Sequence, residues 1–256
     1  MKRPGLGWVL GWLGCCIASA VQAQPTRMVD IREGSYIPLF GTTPPVAVQV
    51  DAFKIDITPV THAQYAEFVR RHPAWRKSTV KRLFADEGYL SAWSGDTAPP
   101  AERRNSPVTT VSWHAASAYC SAQGKRLPTV DEWEYVAMAD DKRRDARTDP
   151  TYNEAILRSY EAPRTYLRAV GQTAPNVWGV FDLHGLVWEW TSDFNSILIT
   201  GESRSGGTDS MLFCASGSVG ASDLMNYAAF MRYAFRSSVN ASHTINSLGF
   251  RCAQDR

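Results

Sequence analysis

The sequence predicts an α+β domain with few helices, short strands and a large share of irregular backbone. Three observations carry that expectation. Helical periodicity with matching end signals occurs only in short stretches before residue 140. After Asp140, Gly, Pro, Asn, Ser and Trp recur between short apolar pieces. Nowhere do strand and helix patterns alternate in the long series that a parallel α/β sheet requires.

Taken in order, the elements begin with an address label. Lys2 and Arg3 precede an apolar stretch from Trp8 to Ala20, and Val21-Gln22-Ala23 supplies the small-x-small pattern that signal peptidase cleaves after. Residues 1–23 are therefore expected to be a signal peptide, and 24–256 one exported domain, periplasmic or secreted. Trp12-Leu13-Gly14 before Cys15 is a poor context for lipidation. No later segment approaches the ~20 apolar residues of a membrane span. The formal charge of +2 resides in Lys2 and Arg3, so the remainder is balanced. Such a chain offers no electrostatic case for binding nucleic acid or an anionic membrane.

Phe53-Lys-Ile-Asp-Ile57 alternates like a strand. Thr61, three residues before Gln64, reads as a capping box, and Tyr65, Phe68 and Val69 follow at helical spacing until Pro73. A second helix is expected over 114–123, stopped by Gly124. A third starts at Thr129, whose capping box closes on Glu132, with Trp133, Val136 and Ala137 as its apolar face. Of the cysteines, Cys120, Cys214 and Cys252 lie beyond the leader. An oxidising compartment favours one bridge and one leftover thiol, and the residues alone leave all three pairings open.

Four blocks, in order, resemble the formylglycine-generating (sulfatase-modifying factor) family. They are Phe53 to Phe68; Pro107 to Cys120, continuing through Gly124-Lys-Arg-Leu-Pro-Thr129 to Tyr135; Asn176 to Asp193, with Trp188-Glu-Trp-Thr-Ser-Asp193; and Leu248-Gly-Phe-Arg-Cys252. They span roughly residues 33–254. The resemblance implies a single-domain fold related to C-type lectins. It also implies a bridge from Cys120 to Cys252, which would close a long loop and contribute ~4–5 kcal/mol in the chain-entropy model. Cys214 is then unpaired. A structural calcium site is implied as well, with carboxylates from Asp182 and Glu189 and carbonyl oxygens from Gly185 and Val187, a hard-oxygen set that suits this ion. His184, inside that loop, reads as a bystander. A second family calcium site, near Asn153 and Glu161, does not carry over because the spacing is off.

Departures from the family pattern bear on function. The aerobic enzymes bind copper(I) through two cysteines five residues apart. Those positions fall at Asp223 and Ala228 here, so copper and formylglycine generation are not expected. Leu186 replaces the family's asparagine. Trp188 matches a tryptophan lining the active cleft, and Arg236 an arginine near its centre. Asp223 and Arg232, with Ser218 and Tyr227, lie on the segment that replaces the thiols. The implied roles are an accessory or maturation factor for a periplasmic enzyme such as a copper nitrite reductase, an oxidase of a small peptide-derived substrate of the siderophore-maturation type, or a lectin-like binder. Asp223, Arg232, Arg236 and Trp188 are the cleft candidates.

Overall fold

The computed structural model describes residues 26–38, 46–195 and 224–256. The leader, Ser218 and Cys214 lie outside them, as does Asp223. No helix among the described residues is long and apolar enough to cross a membrane.

Among the described residues, short strands and five α-helices make a mixed α+β fold. Strand β4 (Phe53–Asp56) is the centre of the main sheet, flanked on both sides by antiparallel neighbours β1 (Met28–Ile31) and β7 (Ala253–Asp255). Phe53 and Ile55 point to the buried face, so the alternation read from the sequence is the pleat itself. A second ladder pairs β2 (Gly34–Tyr36) with β3 (Val48–Val50). The third, β5 (Trp188–Glu189) with β6 (Leu248–Gly249), is parallel and only two residues long.

The three predicted helices form as expected. Helix α1 (His62–Arg71) carries the Thr61–Gln64 capping box, α2 (Trp113–Ala122) is capped by Ser112, and α3 (Val130–Ala137) carries the Thr129–Glu132 box. Gly124 ends α2's turn at φ +68°, a conformation that favours glycine. One apolar cluster packs α1 and α2 with Trp190 and Phe250, and another packs α3 on the main sheet. Cys120 and Cys252 form the disulfide, tying α2 to the segment between β6 and β7.

The expectation that regular structure fades after Asp140 is corrected twice. Helix α4 (Pro150–Glu161) is capped by Asp149 with proline in its first turn, and α5 (Leu224–Ser237) follows the undescribed segment. On α4 only Asn153 and Ile156 are buried, too thin a stripe for hydrophobic periodicity to stand out. On α5 the buried face includes arginines, which a polar-outside rule assigns to solvent.

Candidate functional site

A cleft of about 190 Å³ opens where α4, α5 and the segment leading into β5 meet. Its wall is aromatic: Trp188 stacks on Phe235 with ring centroids 4.7 Å apart, and Tyr160 lies 4.9 Å from Trp188. The one-turn spacing of Arg232 and Arg236 on α5 brings both guanidiniums to the same side, where both line the cleft. Both reach one carboxylate, Glu134 of α3. Arg232 binds it through Nε (2.9 Å to Oε1) and Nη2 (2.6 Å to Oε2), and Arg236 through Nη1 (2.7 Å to Oε1). Trp133 lies beneath both cations, 5.7 and 5.0 Å from its ring centroid. Burial works against the Glu134 charge, but Arg232 and Arg236 outweigh it and hold its pKa down at about 2.

A chain of hydrogen bonds leaves the cleft through Tyr160. Arg232 Nη1 donates to Tyr160 Oη at 3.2 Å, and that hydroxyl faces His184 Nδ1 at 3.4 Å. His184 Nε2 lies 2.9 Å from the Ala137 carbonyl, which can only accept, so Nε2 carries the proton and Nδ1 receives. Far from being a bystander, His184 joins the cleft to the end of α3. Burial, then the nearby Arg232 charge, lower its pKa to about 4. His62 is lowered to about 4 as well, by burial and then Arg103, with Nδ1 accepting from Trp93 at 3.0 Å.

These shifts fix a pH response. Both histidines bind protons less readily folded than unfolded, so stability is full above the unfolded value near 6.5 and falls as pH drops towards 4. Glu134 acts in the same direction below 4.5. We expect the melting temperature to drop on the order of 10 °C between pH 7 and pH 4.5. Differential scanning calorimetry checks this, and a flat profile over that window would contradict it.

The loop expected to hold calcium is curled by two residues at positive φ, Asp182 (+58°) and Gly185 (+76°). Three of its four expected donors, Glu189, Asp182 and the Gly185 carbonyl, are already engaged. Arg251 meets Glu189 with two parallel bonds of 2.8 Å, and Trp133 Nε1 donates to the same carboxylate at 2.8 Å. Arg251 also donates to the carbonyls of Phe181 (2.9 Å) and Asp56 (3.2 Å). Asp182 accepts from Gly171 N–H and from Thr173 Oγ1, and the Gly185 carbonyl from Arg168. In this arrangement the set of Asp182, Gly185, Val187 and Glu189 does not fit a calcium ion. The Glu189 charge is cancelled, and calcium wants six to eight oxygens with uncompensated negative charge. The Asn153 amide nitrogen donates to the Arg147 and Asp149 carbonyls.

A profile of the "Sulfatase-modifying factor enzyme 1-like domain" family matches residues 17–256. The chain belongs to this family. The formylglycine-generating enzyme of Streptomyces coelicolor is 31% identical, over 87% of this chain and 84% of that protein. A mouse relative named "Inactive C-alpha-formylglycine-generating enzyme 2" is 29% identical, over 72% of this chain and 74% of its own. Among solved structures, PvdO from Pseudomonas aeruginosa is similar at 18% identity, over 90% of this chain and 95% of that one, with a TM-score of 0.49.

Of the residues singled out from the sequence, Trp188, Arg232 and Arg236 converge on the cleft, and Gly185, Val187 and Glu189 line it too. Ala228, expected at about one thiol position of the family's enzymes, does not. It is buried on α5 and lines a separate space of about 20 Å³ with Tyr36 and Tyr152. Sequence reasoning missed Glu134 and Tyr160. Glu134 stood in a recognised block, and its signal was a carboxylate flanked by Trp133 and Tyr135 on a helix whose neighbours are all buried.

Proposed function

We propose that this family member does not generate formylglycine and instead serves as an exported accessory or maturation factor for a periplasmic enzyme, of which a copper nitrite reductase is the suggested type. It engages its ligand in the Trp188 cleft. One observation carries the reading: where the enzymes hold two thiols, this chain has Asp223 and Ala228, and no cysteine occurs between residues 215 and 251. A two-thiolate copper site cannot be built from a carboxylate and a methyl group. Cys120 and Cys252 are consumed in the disulfide, which leaves them no nucleophilic role. That bridge supports export, because disulfides persist in oxidising compartments. The cleft keeps its aromatic wall and arginines, so a binding function survives the loss of chemistry.

The deciding assay supplies copper and a peptide carrying the sulfatase cysteine motif. No aldehyde is expected by mass spectrometry. Turnover above a copper-only control would overturn the reading.

A further inference from the structure

Arg232 and Arg236 are only 7% and 5% exposed and share a single carboxylate, Glu134. A guanidinium keeps its proton at any ordinary pH, so this buried group of three holds one positive charge in excess. The neighbouring pair, Glu189 with Arg251, is balanced and supplies no compensation. Asp193, another carboxylate within electrostatic range of Arg236, accepts from the backbone N–H of Val130 at 2.8 Å. Arg164 adds a further positive charge to the cleft lining. Two buried cations sharing one counter-ion are only partly compensated, and an arriving anion offsets the remaining cost. Arg236 has the capacity to receive one: among the described residues, only its Nη1 makes a hydrogen bond.

The wall of the space beside these cations is aromatic. Trp188 and Phe235 are stacked within 15° of parallel, and Trp188 is only partly buried, so the ring pair continues the cleft wall. At about 30 Å³ per water, a space of about 190 Å³ takes one substituted ring and little more.

We propose that the cleft binds a planar aromatic ring carrying or adjoining a carboxylate, an inference that rests on the binding role given to the cleft above. The carboxylate pairs with the edge of Arg236 that makes no hydrogen bond among the described residues, and the ring lies against the aromatic wall of Trp188, Phe235 and Tyr160. Free aromatic acids and an aromatic residue at a peptide C-terminus present this same chemistry.

The test is isothermal titration of the full chain with 4-hydroxybenzoate, its uncharged amide, cyclohexanecarboxylate, and a dipeptide ending in phenylalanine. At least one of the two aromatic carboxylates is expected to bind at least about tenfold more tightly than the amide and the saturated ring, and which one binds identifies the source. Arg236→Gln should bring the acid-to-amide ratio close to one, while Arg236→Lys keeps part of it. Trp188→Leu should erase the preference for a flat ring. Circular dichroism and melting confirm that each variant is folded, and if Arg236→Gln is not, the Lys variant and the wild-type ratios decide. Equal binding of acid and amide, or no binding of either aromatic carboxylate to the folded wild type, overturns the proposal. Such a failure leaves the accessory role standing, since that role is decided by turnover of the sulfatase-motif peptide.

Discussion

Replacing Glu134 with alanine is expected to destabilise the protein by about 3–5 kcal/mol, the range for breaking a buried ion pair from one side. The change strands two guanidiniums, Arg232 and Arg236, away from water and removes the bonds that fasten α5 to α3. Urea unfolding measures the loss. Two comparisons isolate its cause. Glu154→Ala breaks the Arg158 pair on the solvent face of α4, 3.5 Å long and largely exposed, and should cost under about 1 kcal/mol. Replacing Glu134, Arg232 and Arg236 together by apolar residues of similar volume should recover most of the stability, because no charge is then left alone. A loss below about 1 kcal/mol for Glu134→Ala would mean that the arginines find other partners, and the charge excess assigned to the cleft would have to be abandoned.

The second large effect belongs to the disulfide. Cys120 and Cys252 are separated by 132 residues, and opening a loop of that length releases enough unfolded-state entropy to cost ~4–5 kcal/mol. The Cys120→Ala/Cys252→Ala double variant is expected to lose that much in urea, and reductant should lower the wild type by a similar amount while leaving the double variant where it is. Because domains of this kind are stable by only about 5–15 kcal/mol, the reduced protein sits near the edge of folding at 37 °C. An unreduced peptide map linking Cys252 to Cys214 would refute the pairing.

The sequence made legible whatever obeys a local rule. The capping boxes at Thr61 and Thr129 and the alternation in β4 depend on residues a few places apart, and they appear where expected. Family blocks supplied the disulfide pairing, which spacing could not. What stayed hidden depends on distant partners. Helix α5 brings arginines inward because Glu134 lies across the chain from them. Helix α4 had its Asp149-Pro150 start in plain sight, but its buried stripe includes Asn153 and no strong period. At the Asp182–Glu189 loop the sequence names the carboxylates but not their partners. A carboxylate in the right place can be answered by an arginine 62 residues further along, and only the three-dimensional arrangement says which cation it meets.

The segment from Leu248 to Asp255 touches nearly everything: β6 holds the strand bearing Trp188, Arg251 neutralises Glu189, Cys252 N–H reaches the Asp56 carboxylate, and β7 completes the sheet. All of these partners precede it in the chain, some by nearly two hundred residues. A polypeptide emerging N-terminus first therefore cannot close its interior until residues 248–255 have appeared, and its unpaired strands stay exposed to aggregation until then.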